Sequence, residues 1–339
     1  MPRIAYLVSS AQEIRLADGS AHPTGYFAEE ALKPYERFTA AGADVVVLTP
    51  DGRAPFADPY GLEGFFHYPD EDMDFFGSVT RTFHHDPDDI RITLHQTTEL
   101  GLVAARRIAE RLKARGMSAA DAHALVSRAA KIAWRADRPL VDVLVDEDLT
   151  GGLSRDELRS AVDELEEAGR ALAAERKQRL DAIPGFREPV ALSALSDEQL
   201  AGFDAVFAPG GHGPMVDLAD NPDVTRLLAS LHAKGAPVAA LCHGPALLLS
   251  APERDDGQWL FDGYRMTCFT DEEEDQTVPG RLGLPWYVDT ALKNAGAVFD
   301  DGPAAWVSHV VVDRNLITGQ NPGSTEATAD AVLKALEVR

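Results

Sequence analysis

Short apolar runs alternate with amphipathic helical segments at both ends of the 339-residue chain. The runs "RIAYLVSS" at 3–10 and "ADVVVLTP" at 43–50 flank the helix-like stretch "GYFAEEALKPYERFTAAG". The same order returns in "FDAVFAPGG" at 203–211 and "APVAALC" at 236–242, with a helical pattern between them. A strand, a helix and a second strand in succession favour a parallel sheet covered by helices. The sequence therefore predicts an α/β fold with a mainly parallel sheet.

The C-terminal part of the chain contains further strand candidates at 264–269, 297–301 and 309–319. In the last of these, "DRN" interrupts the apolar pattern, which predicts a hairpin turn. The stretch "NPGSTEATADAVLKAL" follows and has a helix start signal at Ser324 or Thr325.

A long helical region separates the two α/β blocks. Its apolar residues recur at i, i+3 and i+4 from about Asp89 to Leu180. Ser118 and Ser154 are candidate N-caps, and Gly116 is a candidate C-terminal glycine.

We expect one α/β domain over residues 1–339, with its core in 1–88 and 185–339 and a helical insertion at 89–184. A separate helical domain is the alternative, because about 90 residues can form a small bundle. The segment from "GLVAARRIAERL" to "GGLSRDEL" resembles the C-terminal helical region of the fumarase/adenylosuccinate lyase superfamily. It lacks that superfamily's catalytic core, so the resemblance implies no lyase activity.

Composition and charge exclude several classes of function. The formal net charge is −23, from 55 acidic and 32 basic side chains. Nucleic-acid binding depends on clustered Lys and Arg, so we expect no nucleic-acid partner. No apolar run approaches the ~20 residues that cross a bilayer, and "MPRIAYLVSS" has no signal-peptide pattern. We expect a cytoplasmic protein with no membrane partner, whose two cysteines stay reduced.

The stretch "AALCHGP" at 239–245 places Cys242 between a predicted buried strand and a helix, with His243 directly behind it. A helix N-terminus is expected to lower the pKa of such a cysteine, because the helix dipole favours the nucleophilic thiolate. Ala240 and Gly244 leave room for a tight turn. The alternative is a buried cysteine that only fills space at a strand end.

A glycine-rich turn follows another predicted strand. The stretch "APGGHGPMVDL" at 208–218 contains Gly210 and Gly211, whose backbone N–H groups can approach a ligand closely. Because the carboxyl ends of parallel strands gather at one edge of a sheet, we expect these glycines near Cys242, where they would form an oxyanion and substrate-binding site.

Carboxylates occur at two positions beside the same edge. Glu30 lies on the first helix, where an exposed side chain is the alternative, and for its neighbour Glu29 we favour that alternative. The run "FTDEEED" at 269–275 follows a further predicted strand. One of its carboxylates could hold an imidazole in place, or the run could be a solvated surface.

In combination, "APGGHGPMVDL", "ALCHGPALLL", "GYFAEEALKPYERF", "CFTDEEE" and "LITGQNPGS" resemble the ThiJ/PfpI superfamily, over roughly 1–60 and 185–339. Within it they resemble the branch of heat-shock-type chaperones and glutathione-independent glyoxalase III enzymes, sometimes described as protein deglycases. The resemblance implies a flavodoxin-like three-layer sandwich with a Cys-His-acid triad.

The resemblance also implies a role for each matching residue. The nucleophile falls on Cys242, its histidine on His243 and the carboxylate beside the sulfur on Glu30. The third triad member, five residues after the Phe of "CFTD", falls on Glu274. The backbone of Gly211 and His243 would form the oxyanion hole. Class I glutamine amidotransferases place their histidine in a later His-x-Glu pair, which this chain lacks, so glutamine hydrolysis is not expected.

Other histidines are candidates for a metal site. His22, His67, His84 and His85 could combine with carboxylates, but they show no fixed ligand spacing, so we expect no metal. Cys268 lies inside a predicted strand and is expected to be structural.

The resemblance implies a cofactor-independent enzyme that acts on small dicarbonyls such as methylglyoxal, or on glycated substrates, with Cys242 as its nucleophile. A cysteine peptidase or amidase is a second possibility, since it needs the same triad. A redox-regulated holdase chaperone, with Cys242 as the oxidised residue, is a third. Dimers are common in the superfamily that the chain resembles, so we expect a homodimer.

Overall fold

Strands and helices alternate along the two described stretches of the computed structural model, residues 1–58 and 100–337. The strands are β1 (Arg3–Leu7), β2 (Glu13–Arg15), β3 (Ala21–Pro23), β4 (Asp44–Thr49), β5 (Val190–Ala191), β6 (Ala205–Ala208), β7 (Val238–Leu241), β8 (Arg265–Met266), β9 (Val298–Phe299), β10 (Val310–Asp313) and β11 (Leu316–Gly319). The α-helices are α1 (Ala28–Ala40), α2 (Ala105–Ala114), α3 (Ala119–Arg135), α4 (Leu140–Asp146), α5 (Arg155–Ala182), α6 (Pro184–Arg187), α7 (Asp197–Ala201), α8 (Pro214–Asp217), α9 (Pro222–Ala233), α10 (Asp271–Glu274), α11 (Val278–Leu282), α12 (Val288–Ala295) and α13 (Thr325–Glu337). Short 3₁₀ helices cover Leu102–Ala104, Leu192–Ala194, Gly244–Ser250 and Pro322–Ser324.

The chain divides into two compact units. Unit 1 comprises Met1–Leu62 and Arg176–Arg339, and unit 2 comprises Glu63–Glu175. The boundary between them falls inside α5. The expected insertion at 89–184 begins outside the described residues, and its relation to a single α/β domain stays a prediction.

Unit 1 is built on a seven-stranded sheet in the order β10-β11-β7-β6-β1-β4-β5. All neighbouring strands in this sheet are parallel except the hairpin pair β10 and β11. The hairpin turns at Arg314 and Asn315, within the predicted "DRN" turn. The predicted α/β fold with a mainly parallel sheet is confirmed.

Both faces of this sheet are covered by helices. On β1, Ile4 and Tyr6 belong to a buried cluster that includes α1 and α13. Ala5 and Leu7, between them, belong to the opposite cluster, which includes α9 and α12. Side chains alternate across a strand, so an uninterrupted apolar run buries residues on both faces. The result is the predicted three-layer sandwich.

Unit 2 is helical over its described residues, 100–175. The helices α2, α3, α4 and the first part of α5 bury an apolar core that includes Ile108, Val126, Leu144 and Leu158. Their spacing on each helix follows the predicted i, i+3, i+4 pattern.

The predicted helix ends in this region are confirmed. The Ser118 side chain accepts a hydrogen bond from the Asp121 N–H and caps α3. The Ser154 hydroxyl accepts one from the Glu157 N–H at the start of α5. Gly116 follows α2 with a φ of 94°, a left-handed conformation that favours glycine.

Two predicted strands are shorter than expected. The candidates at 264–269 and 297–301 are reduced to β8 and β9, which pair in a separate two-stranded sheet. Beyond β8, the Thr267 N–H donates to the Thr318 hydroxyl, and the Phe269 N–H donates to the Cys242 carbonyl. These two isolated hydrogen bonds stand in place of continued strand pairing, because the chain turns toward the end of β7 at this point. The β2–β3 hairpin and β5 were not predicted, since each strand is too short to show a clear period.

No helix in the described residues combines the length and the apolar character needed to cross a membrane.

Candidate active site

Two loops and the start of α1 meet at the carboxyl edge of the sheet. β6 and β7 pair in parallel, so the residues that follow them lie side by side. Gly210 and Gly211 follow β6, and Cys242 directly follows β7. The Phe27 N–H, at the start of α1, donates to the Gly210 carbonyl at 2.9 Å. The predicted gathering of these residues is what the structure shows.

Cys242 occupies a tight turn held on both sides. Its φ is 60°, a left-handed conformation that is strained for a residue with a Cβ atom. Its N–H donates to the Gly319 carbonyl at 2.9 Å, and its carbonyl accepts from the Phe269 N–H at 2.9 Å. The thiol is only 3% exposed. The surrounding backbone therefore determines the position of the sulfur.

His243 links the sulfur to a carboxylate. Its Nδ1 atom lies 3.3 Å from the Cys242 Sγ atom, and its Nε2 atom lies 2.6 Å from the Glu274 Oε2 atom. The ring stacks on Phe269, with 4.5 Å between centroids. Because the carboxylate can only accept, Nε2 carries the proton and a neutral imidazole presents Nδ1 as an acceptor to the thiol.

Glu274 ends α10, whose N-terminus is set by a capping box. The Thr270 hydroxyl accepts from the Glu273 N–H, and the Glu273 side chain accepts from the Thr270 N–H. In this turn the Glu273 side chain forms the cap, and the Glu274 side chain contacts His243. Spacing alone had selected Glu274 from the acidic run, and the structure brings it to the imidazole.

The Glu274 carboxylate is buried and accepts three hydrogen bonds. Oε2 accepts from His243, while Oε1 accepts from His212 at 2.9 Å and from the Thr277 hydroxyl at 2.7 Å. Burial raises the pKa of Glu274, but the His212 and His243 imidazoles more than offset it, so the net pKa is lowered. The group stays ionised and can orient an imidazole.

Glu30 reaches the sulfur from the first turn of α1. Pro34 lacks the N–H that would bond to the Glu30 carbonyl four residues earlier, and the Tyr6 hydroxyl donates instead to the carbonyls of Glu30 and Ala31, at 3.3 and 2.6 Å. The Glu30 Oε2 atom accepts from the Gly210 N–H at 2.8 Å. The proline and the tyrosine thus fix the helix turn that carries the carboxylate.

The Glu30 side chain is fully buried. Burial raises its pKa to about 8, against the opposing hydrogen bonds from Gly210 and Cys242. Its Oε1 atom finds no hydrogen-bond partner among the described residues. Glu30 can therefore hold or release a proton near neutral pH, with one oxygen available to a substrate.

Gly210 and Gly211 make different contacts in the site. The Gly211 N–H acts on the Cys242 sulfur and lowers the pKa of the thiol, so it can serve as an oxyanion-hole amide. The Gly210 N–H instead donates to Glu30, which differs from the expected oxyanion contact. A Cβ atom at Gly210 would lie 2.6 Å from the Cys242 Cβ atom, so this position must be a glycine.

The expected low pKa of Cys242 is not what the structure gives. Burial and the nearby Glu30 carboxylate raise the pKa of the thiol well above its ordinary value. The helix that follows is a seven-residue 3₁₀ helix, whose dipole is too small to offset these effects. Burial lowers the pKa of His243, with a further contribution from His212. The resting pair is a neutral thiol and a neutral imidazole.

His212 is the site residue that the sequence reasoning missed. It lies between Gly211 and Gly213, in the same glycine-rich turn, and is 8% exposed. The position of a histidine directly after an oxyanion glycine was the available signal. The donor atoms of His212, His243 and Glu274 lie within 4.8 Å of one another. We interpret this group as a hydrogen-bonded cluster and assign no metal to it, because each Nε2 proton points at the carboxylate.

His22 interacts electrostatically with His212, and the other candidates lie elsewhere or outside the described residues. His67, His84 and His85 fall outside the described residues. His22 is half-buried in β3, and Cys268 is buried with its thiol donating to the Phe269 carbonyl.

Comparison with known proteins gives relatives that match less than half of the chain. The bovine protein named glutamine amidotransferase-like class 1 domain-containing protein 1 is 35% identical over 144 residues, 42% of this chain and 62% of that protein. Glyoxalase 3 of Candida albicans is 30% identical over 149 residues, 43% and 63% of the two chains. Protein/nucleic acid deglycase HchA of Pseudomonas aeruginosa is 32% identical over 165 residues, 45% and 55%. The chain thus covers less than two thirds of each relative.

Structural comparison extends over nearly the whole chain. The crystal structure of glyoxalase III from Candida albicans aligns with a TM-score of 0.54 and 19% identity, over 99% of this chain and 97% of that one. At this identity the likeness shows a shared fold. The model of the DJ-1/PfpI family matches residues 151–335, more than half of the sequence. The resemblance found from the motifs is confirmed: the chain belongs to the DJ-1/PfpI family.

Proposed function

We propose that the protein is a glutathione-independent glyoxalase, which converts methylglyoxal or a similar small 2-oxoaldehyde into the 2-hydroxy acid with Cys242 as the nucleophile. The observation that carries this proposal is the pair of proton-transfer groups on either side of one thiol. His243 lies 3.3 Å from the sulfur, and Glu30, whose carboxylate raises the pKa of the same thiol, itself has a pKa raised by burial to about 8. The names of the relatives, glyoxalase 3 and deglycase, support it.

The first step is addition of the thiol to the aldehyde. His243 takes the S–H proton at Nδ1 as the sulfur bonds to the aldehyde carbon, and the carbonyl oxygen becomes an oxyanion. The Gly211 N–H, which lowers the pKa of the thiol, stabilises that charge, and His243 then returns the proton to give a hemithioacetal.

The second step moves a proton between the two substrate carbons. Glu30, ionised, takes the proton from the former aldehyde carbon to give an enediolate, and a proton is delivered to the neighbouring carbon. The product is a thioester of the 2-hydroxy acid, so one carbon is oxidised and the other reduced with no external oxidant. Water then cleaves the thioester and regenerates the thiol. The same addition to a glycated amine would appear as deglycase activity.

The burial of the thiol favours a small substrate over a peptide. Cys242 is 3% exposed and His243 2% exposed. A peptidase must bring an extended chain to its sulfur, whereas a dicarbonyl of a few atoms needs little space. This observation supports the glyoxalase over the peptidase or amidase alternative.

The test is turnover of methylglyoxal without glutathione, followed by its disappearance and by lactate formation. We expect the wild-type protein to be active and Cys242→Ala to lose at least about 10³-fold in kcat/KM. Cys268→Ala, at the other buried cysteine, is the control and should retain activity. Full activity in Cys242→Ala, or a wild-type protein inactive on glyoxal, methylglyoxal and phenylglyoxal, would overturn the proposal.

A further inference from the structure

The carboxylate of Glu274 is shared by two histidines. His243 donates to Oε2 at 2.6 Å, and His212 donates to Oε1 at 2.9 Å. The two imidazole centroids are 4.2 Å apart. A Cys-His-acid triad needs only one of these histidines, so the second one requires an explanation.

One carboxylate compensates one positive charge. Two imidazoles at this distance repel each other when both are charged. The pair therefore holds one extra proton, which makes only one of the two rings positively charged. Its position on His212 or on His243 decides the chemistry, because only His243 contacts the thiol.

The surroundings place that proton on His212. Burial lowers the pKa of His212, but Glu274 raises it, with smaller contributions from Asp58 and Glu30, and the net pKa is raised. The net pKa of His243 is lowered instead, because burial and the neighbouring His212 outweigh the effect of Glu274. His22, on β3, also interacts electrostatically with His212.

We propose that His212, acting through the shared Glu274 carboxylate, holds the Cys242–His243 pair in its neutral thiol–imidazole form until a substrate carbonyl accepts the sulfur. His212 is a positioning residue for charge and does not touch the thiol. A charged His212 makes the imidazolium form of His243 costly, so the proton that His243 takes from the thiol is returned rapidly to the new oxyanion. This inference rests on the proposed nucleophilic role of Cys242, but its test does not need turnover.

The test measures thiolate formation by absorbance at 240 nm against pH, in the Cys268→Ala background so that Cys242 is the observed thiol. His212→Gln keeps an N–H donor for Glu274 and removes the charge. His212→Ala removes both. We expect the pH midpoint for thiolate formation to fall by about one unit in both variants, because His243 becomes the stronger base. His232→Gln, in α9, is the matched control and should match the parent.

The comparison of the two variants separates charge from structure. If His212→Gln titrates like the parent protein while His212→Ala differs, the hydrogen bond alone matters and the inference is overturned. Unchanged or raised midpoints in both variants overturn it as well. If His212→Ala fails to fold, as judged by near-UV circular dichroism, the His212→Gln midpoint decides. A lowered midpoint in a protein inactive on dicarbonyls would leave this inference standing and overturn only the proposed glyoxalase activity.

Discussion

Glu30 occupies a position in which its protonated form is the more stable one near neutral pH. Its side chain is fully buried, and the groups that stabilise its charge are a glycine N–H and a thiol. A single N–H and a weakly acidic S–H do not replace the water that a carboxylate loses on burial. This imbalance makes Glu30 useful in proton transfer and also ties it to the stability of the fold.

We predict that ionisation of Glu30 destabilises the protein as the pH rises. The pKa of Glu30 is about 8 in the folded protein, against 4.5 for an exposed glutamate. The folded state binds more protons between these values, so the stabilising contribution is fully present below about pH 4.5 and is lost as the pH rises through about 8. Urea unfolding from pH 5 to pH 9 should show a decrease of a few kcal/mol that Glu30→Gln lacks. Parallel curves for the two proteins would contradict this prediction.

We predict that Gly210→Ala is inactive because of crowding. The new methyl group would lie 2.6 Å from the Cys242 Cβ atom and 2.8 Å from both the Glu30 Oε2 atom and the His243 nitrogen. Of these atoms, only the Glu30 carboxylate oxygen lies at the end of a flexible side chain and can move aside. The Cys242 Cβ atom and the His243 nitrogen cannot. We expect kcat/KM for methylglyoxal to fall at least about 10²-fold and the free energy of unfolding to fall by about 1–3 kcal/mol.

Gly257→Ala is the control for this prediction. Its Cβ position is open, so the substitution tests only the strain of a φ of 77°. It should lower stability by about 1 kcal/mol and leave activity unchanged. Equal loss of activity in the two variants would show that a general loss of stability is responsible.

At the scale of one element, α10 is a four-residue helix that depends on one buried carboxylate. The Glu273 Oε2 atom accepts from the N–H and hydroxyl of Thr270. Its Oε1 atom accepts from the Trp306 N–H and from the side-chain amides of Gln320 and Asn321. These bonds attach the helix to the segment before β10 and to the loop after β11, and Glu274 is the next residue along the chain.

We predict that Glu273→Gln weakens both stability and activity. Both carboxylate oxygens accept hydrogen bonds, and the amide replaces one of them with an NH₂ group that faces other donors. The lost hydrogen bonds should lower the free energy of unfolding by about 1–3 kcal/mol. The displaced turn moves Glu274 from His243, and kcat for methylglyoxal should fall about tenfold or more. The matched control is Glu272→Gln, an exposed neighbour on the same turn. If both variants behave alike, the carboxylate network is not what positions Glu274.

At the scale of the whole molecule, α5 continues from unit 2 into unit 1. Within unit 1, Arg176 pairs with Glu29 of α1 at 2.9 Å, and the two side chains are 8% and 13% exposed. Glu29 also pairs with Lys33. The sequence favoured an exposed Glu29, but Arg176 covers it within unit 1, directly beside Glu30 in the chain.

We predict that this ion pair contributes measurably to stability, unlike the exposed pair on the same helix. Arg176→Met leaves a largely buried Glu29 with one remaining cation and should cost about 1–3 kcal/mol. Arg170→Met removes the pair with Glu166, whose side chains are mostly exposed and 3.7 Å apart, and should cost less than about 0.5 kcal/mol. Urea unfolding of both variants measures the difference, and equal losses would contradict it.

Much of unit 1 could be predicted because its signals are local. Apolar runs such as 43–50 and 236–242 show strands buried on both faces, and the helix between β6 and β7 has a clear period. The turn at Cys242 and the glycine loop could be placed together because parallel strands end at one edge. The strands β8 and β9 were overestimated, since a hydrogen bond from the Thr267 N–H to the Thr318 hydroxyl replaces a ladder bond and a sequence pattern does not show it.

The sequence by itself determined the parallel α/β architecture through its periodicity and the family through its motifs, and the resemblance to that family implied the meeting of Cys242, His243, Glu30 and Glu274. Only the tertiary structure decided their protonation states. The pKa of a buried thiol or carboxylate depends on how much water it loses and which donors face it, and both are set by residues far apart in the chain. For the same reason His212 was found only when the fold placed it on the second oxygen of Glu274.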